Sequence, residues 1–318
     1  MDVLTDLGFL LGGLVFLFFG GECLVRGSVA IAERFGISKL AVGLVVVGFG
    51  TSAPELLVSI QAVLSGSPDI AVGNVVGSNI ANILLVLGVA ALIAPIFNGD
   101  SRIRRDVTVM AAASAALVGI LMLGDISRLI GAVMLGALVL YLVITYRVER
   151  NRKVSASTHE VADVKDPPIS LPLAIGASVL GPLLLVFGAR LMVDGATDIA
   201  KSFGVSEAVI GLTVVAVGTS LPELATAIVA AFRRHADVVI ANVVGSNIFN
   251  ILAILGITAM ISPIPVAERF ATTDGPIMLG VAFAAVVLLF STKMLGRPLG
   301  ALLLPVYTAY VVFQGARI

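Results

Sequence analysis

Charged and reactive side chains are scarce in this sequence of 318 residues. Only 13% of the residues are charged, one is cysteine and two are histidine. The single cysteine, Cys23, excludes an intramolecular disulfide. The histidines, His159 and His235, fall in predicted loops, which argues against an enzyme of the intramembrane Ser/His hydrolase type. The formal net charge is zero, so composition gives no electrostatic reason to expect a nucleic-acid partner.

Apolar residues make up 58% of the chain, and the mean hydropathy is +1.10. Runs long enough to cross roughly 30 Å of hydrocarbon as helix recur almost without interruption, whereas the alternating pattern of barrel strands is absent. The predicted fold is therefore an all-α integral membrane bundle in the lipid bilayer. Breaks at charged or Gly/Pro-rich positions divide it into ten transmembrane helices, at about 7–33, 40–64, 70–95, 106–124, 127–146, 170–200, 208–232, 238–262, 274–292 and 298–316.

The chain repeats itself at an offset of 168 residues. Residues 43–56 (GLVVVGFGTSAPEL) align with residues 211–224 (GLTVVAVGTSLPEL), and ten of the fourteen positions are identical. Residues 73–88 (GNVVGSNIANILLVLG) align with residues 241–256 (ANVVGSNIFNILAILG), and twelve of the sixteen are identical. Two halves of one design are therefore expected.

The repeat predicts a five-helix unit at 1–146 and a second at 170–318, joined by a charged linker at 147–169. Because five is odd, the second unit enters the membrane in the opposite direction, which predicts two inverted-topology repeats. This architecture is typical of alternating-access transporters.

The loops carry their positive charges on one side of the predicted bundle. With both termini outside, the cytoplasmic loops, including the central linker, hold fourteen of the 20 Lys and Arg residues, and the outer side holds only Arg128, Lys201, Arg269 and Arg317. The positive-inside rule therefore predicts a multi-pass cell-membrane protein with outer termini and a cytoplasmic central loop.

A polar stripe lies on the second helix of each half. Thr51, Ser52 and Glu55 recur as Thr219, Ser220 and Glu223, three, four and seven residues after Gly48 and Ala216. This spacing places them on one helix face. A carboxylate within a span normally faces a polar interior and indicates an ion or proton path. Pro54 and Pro222 should free backbone carbonyls one turn earlier, which could also bind cations.

The third helix of each half carries a second stripe. Asn74, Ser78 and Asn82 recur as Asn242, Ser246 and Asn250, each set on one face. Packing by small residues and cation binding are both compatible with this pattern. Asn79 and Asn247 lie about 100° around the helix from the serines, which favours a structural role for them.

Oxygen is the only ligand type in these two stripes. Carboxylates, hydroxyls, amides and carbonyls suit hard cations such as Ca²⁺ or Na⁺, whereas Zn²⁺ and Cu²⁺ favour nitrogen or sulfur.

Two further intramembrane charge pairs, Glu22 with Arg26 and Arg190 with Asp194, have i, i+4 spacing. Mutual neutralisation is the favoured interpretation for both.

The paired segments GFGTSAPE/AVGTSLPE and GNVVGSNIAN/ANVVGSNIFN resemble the alpha repeats of the sodium/calcium exchanger family, within the cation/calcium antiporter superfamily. The resemblance implies three Na⁺ or one Ca²⁺ in overlapping sites, and first and sixth helices that slide across the rest. It implies backbone ligands at Gly48, Thr51, Ala216 and Thr219. The implied side-chain ligands are Thr51, Ser52, Glu55, Ser78, Asn82, Thr219, Ser220, Glu223, Ser246 and Asn250.

The function implied by the resemblance is secondary antiport of Na⁺ against Ca²⁺, with no cofactor and no obligatory protein partner. Some family members carry Asp at the position of Asn250, especially potassium-dependent ones, so potassium co-transport is not expected here. The short linker at 147–169 has no room for the calcium-sensing domains of animal exchangers.

Two other functions use the same residue types. A Ca²⁺/H⁺ antiporter would use the carboxylates as proton acceptors, but the proton-coupled relatives usually show Gly-Asn-x-x-Glu where this chain reads Gly-Thr-Ser-x-Pro-Glu. A passive cation channel would also place carboxylates and carbonyls along a path. Inverted repeats with broken helices at matching positions favour a transporter.

Overall fold

Helices account for most of the chain, as the sequence predicts. The computed structural model describes residues 3–97, 101–151, 169–204 and 216–316. Most of the central linker and the start of the seventh predicted span lie outside these residues. In the first half the α-helices are α1 (Val3–Phe35), α2 (Lys39–Val42), α3 (Gly48–Thr51), α4 (Ala53–Leu64), α5 (Pro68–Ala81), α6 (Leu87–Ile93), α7 (Ser101–Leu121) and α8 (Arg128–Asn151).

The second half follows the same order. Its α-helices are α9 (Leu171–Ser202), α10 (Ala216–Thr219), α11 (Leu221–Phe232), α12 (Ala236–Phe249), α13 (Gly256–Ile261), α14 (Gly275–Ser291) and α15 (Arg297–Gly315). π-Helical turns join several of them, at Gly43–Val47, Asn82–Val86, Asn250–Leu255 and Phe270–Asp274.

Helix is present at all ten predicted spans. Within the described residues, seven helices are long and apolar enough to cross a membrane, and the bent pair Lys39–Thr51 and Ala53–Leu64 makes an eighth. Ser101–Leu121 is not among them; it begins with a run of arginines. Leu221–Phe232 is apolar but short, because it begins at a helix break at Ser220. The count of ten spans therefore stays a prediction.

Four two-residue strands depart from the predicted all-α fold. β1 (Ile96–Phe97) pairs antiparallel with β4 (Met294–Leu295), and β2 (Asp125–Ile126) pairs antiparallel with β3 (Ile264–Pro265). The strands lie in connections where helices have ended, so their backbone groups need other partners. Each pair joins a loop of one half to a loop of the other.

The second helix of each half is broken near its proline, as predicted. The helix axis bends by 42° between Thr51 and Ala53, with Pro54 in the first turn of α4. The second half has the equivalent break at Ser220, with Pro222 in the first turn of α11. Proline is favoured in the first turn because its missing N–H has no intrahelical partner there.

The equivalent helices α1 and α9 pack closely along their length and run antiparallel. A side-chain carbon added at Gly13 would lie 2.7 Å from Gly188 O, and one added at Gly20 would lie 2.9 Å from Gly181 O. Contact at these distances requires a residue without Cβ. Glycines seven residues apart thus bring the two backbones together.

An ion pair ties α1 to the end of α11. Arg233 Nε donates to Glu22 Oε2 at 2.8 Å, and Arg233 Nη2 donates to the other carboxylate oxygen, Oε1. The predicted partner, Arg26, lies farther away, at 3.8 Å from Glu22 Oε1. The structure records no ion pair between Arg190 and Asp194, both of which lie in its described part. The predicted ion pair of Glu22 with Arg26 is therefore confirmed, whereas that of Arg190 with Asp194 is not found among the described residues.

The α1–α9 contact predicts opposite effects for two glycines of α9. Gly188→Ala places a methyl group 2.8 Å from both Gly13 O and Leu17 N, so the helices must separate, at a cost of roughly 1–3 kcal/mol. Gly176→Ala meets no atom within 4 Å and gains helix propensity. Thermal melting of the purified protein should show a lower Tm for Gly188→Ala alone. Equal melting temperatures would contradict the close contact.

Candidate ion-binding site

Two breaks at equivalent positions form the centre of the candidate site. They lie at Ser52 and Ser220, and the helices that follow carry Glu55 and Glu223 in their first turns. A carboxylate is stabilised there because the N-terminal end of a helix carries partial positive charge, from the helix dipole and from N–H groups that have no intrahelical partner. Both glutamates are fully buried, with 0% of their surface exposed.

Few oxygens of the two carboxylates have hydrogen-bond partners among the described residues. Glu223 Oε1 accepts from Ser52 Oγ at 3.1 Å and from Ser246 Oγ at 3.4 Å. Glu55 Oε1 and Oε2 and Glu223 Oε2 accept no hydrogen bond from the described residues. Burying a carboxylate without a partner costs roughly several kcal/mol, because the ion loses its hydration. A positive charge beside the two carboxylates would offset this cost.

A crossed network links the threonines of each half to the asparagines of the other. Thr51 Oγ1 donates to Asn242 Oδ1 at 3.2 Å, and Thr219 Oγ1 donates to Asn74 Oδ1 at 3.5 Å. Asn242 Nδ2 in turn donates to the backbone oxygen of Glu223, at 3.0 Å. Asn74 Nδ2 makes the equivalent bond to Glu55 O, also at 3.0 Å. These bonds fix the backbone from which each glutamate extends.

The polar stripe on the third helix of each half ends at an asparagine, and the amide oxygen of each of these two asparagines has no partner among the described residues. Asn82 Nδ2 donates to Asn247 Oδ1 at 3.0 Å, and Asn250 Nδ2 donates to Asn79 Oδ1 at 3.1 Å. Asn82 Oδ1 and Asn250 Oδ1 are buried and accept no hydrogen bond from the described residues. A π-helical turn starts at each of these asparagines, a feature frequent at functional sites.

All ten predicted side-chain ligands are buried, at most 8% exposed. The structure brings Ser246 Oγ to within 3.2 Å of Thr51 Oγ1 and 3.3 Å of the Gly48 carbonyl oxygen. Ser78 is buried but makes no hydrogen bond through its side chain within the described residues. The buried Ser220 hydroxyl likewise has no partner there. Ala216 starts α10, at the edge of the described range.

Carboxylate, amide and hydroxyl oxygens are therefore concentrated in the buried interior of the helix bundle. Such a set suits Ca²⁺, which takes 6–8 oxygen ligands, or Na⁺. Side chains of both halves contribute to the candidate site, since Ser52 of the first half contacts Glu223 of the second. Relative movement of the halves would thus change the site.

Known proteins are similar to this chain in sequence and in structure over most of its length. The family described as sodium/calcium exchanger protein matches residues 5–147 and 173–316. The chain belongs to the sodium/calcium exchanger family. It is thus a multi-pass membrane protein of a transporter family.

Relatives of this exchanger match nearly its whole length. It is 38% identical over 308 residues to the putative antiporter CaxA of Alkalimonas amylolytica, covering 95% of this chain and 96% of the relative. It is 30% identical to the sodium/calcium exchanger MaX1 of Methanosarcina acetivorans, covering 95% and 96%. The solved structure of the sodium-calcium exchanger NCX_Mj soaked with 10 mM Na⁺ and zero Ca²⁺ superposes with a TM-score of 0.84 at 32% identity, covering 98% of this chain and 99% of the other.

Sequence reasoning missed the partners that orient the exchanger's site. Asn74 and Asn242 share a face with the serines, but the spacing does not reveal that each donates to the backbone of a glutamate in its own half. Asn79 and Asn247 contact each other across the halves. The 168-residue offset could have indicated that such contacts occur in pairs.

Neutralising one carboxylate should abolish calcium transport without unfolding the exchanger. In Glu55→Gln or Glu223→Gln, one charge that should compensate Ca²⁺ is lost, so we expect calcium uptake to fall at least about tenfold, the equivalent of 1.4 kcal/mol. Flux into proteoliposomes and the Tm of the purified protein measure the two effects.

Glu33→Gln is the matched control for this charge change. Glu33 is 58% exposed and lies 3.8 Å from Lys39, so its replacement should leave uptake unchanged. Near-normal uptake in both Glu55→Gln and Glu223→Gln would rule out the carboxylates as calcium ligands.

Proposed function

We propose that this protein exchanges Na⁺ for Ca²⁺ across the cell membrane by alternating access. The observation that carries the proposal is the buried pair Glu55 and Glu223, supplied by equivalent positions of the two halves. Three of the four carboxylate oxygens accept no hydrogen bond from the part of the chain that the structure describes. A divalent cation between them would compensate both charges. The family membership and the names of MaX1 and NCX_Mj support the same cargo.

The proposed ligands are those that the repeats predict. Backbone oxygens of Gly48, Thr51, Ala216 and Thr219 complete the set. The proposed side-chain ligands are Thr51, Ser52, Glu55, Ser78, Asn82, Thr219, Ser220, Glu223, Ser246 and Asn250. Their burial supports the proposal, as do the oxygens of both glutamates and of Asn82 and Asn250 that accept no hydrogen bond within the described ranges.

The proposed architecture is a ten-span inverted repeat, with units at 1–146 and 170–318 and a cytoplasmic linker at 147–169. The antiparallel packing of α1 against α9 supports inversion, because these helices occupy equivalent positions in the two halves. In this arrangement both termini face outward. Alternating access then arises from movement of α1 and α9 against the remaining helices.

The coupling ion is tested by imposing one gradient at a time. Proteoliposomes loaded with Na⁺ should take up ⁴⁵Ca²⁺ when diluted into Na⁺-free buffer, whereas a pH gradient of equal driving force should produce no uptake. The absence of uptake with Glu55→Gln under the same Na⁺ gradient excludes leakage. Uptake driven by the pH gradient alone would instead identify a Ca²⁺/H⁺ antiporter, and uptake with neither gradient would identify a channel.

The charge count at the site predicts that exchange responds to voltage. Two glutamates are neutralised by one Ca²⁺, whereas three Na⁺ leave one net positive charge, so each cycle of sodium entry and calcium exit moves one charge inward. An inside-negative potential should then favour calcium export by about 2.3 kcal/mol per 100 mV. A potential set with potassium and valinomycin should accelerate export and slow import. Equilibrium accumulation that ignores voltage would indicate neutral two-for-one exchange.

A further inference from the structure

Asn79 and Asn247 join the two halves through a reciprocal pair of hydrogen bonds. Asn79 Nδ2 donates to the backbone oxygen of Asn247 at 3.4 Å, and Asn247 Nδ2 donates to the backbone oxygen of Asn79 at 3.3 Å. Both side chains are buried, with 1% of their surface exposed. Each amide also lies against a methionine sulfur, from Met278 and Met110 respectively.

These bonds determine which way each amide faces. A backbone oxygen can only accept, so the NH₂ group of Asn247 must point at Asn79 O, and its Oδ1 must point the other way. Asn82 Nδ2 lies there, at 3.0 Å, and donates to this oxygen. The equivalent argument holds for Asn79, whose NH₂ group points at Asn247 O and whose Oδ1 accepts from Asn250 Nδ2 at 3.1 Å.

The amide oxygens of Asn82 and Asn250 consequently point away from these partners. Both oxygens are buried and accept no hydrogen bond from the described residues. If either amide turned over, it would present an NH₂ group in place of that oxygen. An NH₂ group carries partial positive charge and cannot ligate a cation.

We infer that Asn79 and Asn247 are positioning residues of the ion site, which hold Asn250 and Asn82 with their oxygens toward the cation. The inference rests on the proposed function. It assigns the orientation of each ligand to a residue of the opposite half. Partners that orient metal ligands typically affect affinity by roughly 10–100-fold when removed.

A double-mutant cycle separates orientation from packing. Asn247→Ala should raise the dissociation constants for Ca²⁺ and Na⁺ by roughly tenfold, because Asn82 is then free to turn over. In an Asn82→Asp background both side-chain oxygens can ligate, so turning over has no consequence. There Asn247→Ala should raise neither constant by more than about twofold, since no orientation remains to be lost and the contact that it removes is one between two acceptor oxygens. Calorimetric titration of the full-length protein in detergent measures all four variants.

The opposite half provides the matched control. Asn250 contacts Asn79, so Asn250→Asp should leave the effect of Asn247→Ala intact while suppressing that of Asn79→Ala. If the Asn82→Asp variant does not fold, the cycle of Asn79→Ala with Asn250→Asp tests the same role in the opposite half.

Two results would overturn the positioning role. One is an equal effect of Asn247→Ala in the Asn82→Asp and Asn250→Asp backgrounds, which indicates packing alone. The other is unchanged affinity in folded Asn79→Ala and Asn247→Ala. Failure of the proposed function gives a different result, since the unsubstituted protein would then show no saturable Ca²⁺ or Na⁺ binding.

Discussion

Two carboxylates buried in one apolar bundle are the constraint on which the rest of this structure depends. Glu55 and Glu223 have no exposed surface, and three of their four oxygens lack hydrogen bonds within the described residues. Such a pair is costly unless charge of the opposite sign joins it. The helix breaks, which put positive helix ends beneath both side chains, reduce that cost, and the surrounding oxygens are of the type that coordinates Ca²⁺ or Na⁺.

The polar residues around this pair divide into two layers with different tasks. Ser52 and Ser246 donate to the Glu223 carboxylate, and the amide oxygens of Asn82 and Asn250 accept no hydrogen bond from the described residues. Behind them, Asn74 and Asn242 hold the glutamate backbones through their side-chain NH₂ groups. Many contacts in both layers cross between the halves. The geometry of the site therefore depends on how the two halves are placed relative to each other.

The apolar runs identify the membrane class, and the repeated segments identify the broken helices and the buried polar residues, because repetition singles out polar residues that an apolar helix would otherwise exclude. Spacing along one helix cannot identify partners on another. It predicts Arg26 as the partner of Glu22, whereas the shorter contact is with Arg233, 211 residues away. The π-helical turns at Asn82 and Asn250 also escape prediction, since one extra residue per turn leaves no mark in the pattern of apolar residues.

The Glu22–Arg233 ion pair breaks the equivalence of the two halves. The positions equivalent to these residues are Arg190 and Ser65, which cannot form an ion pair with each other. If the halves exchange conformations as the molecule turns from one side of the membrane to the other, this contact is lost in one direction and the equivalent positions provide no ion pair in its place. The two orientations then differ in free energy even when ion concentrations are equal on both sides, and the resting molecule has a built-in preference for the side it faces.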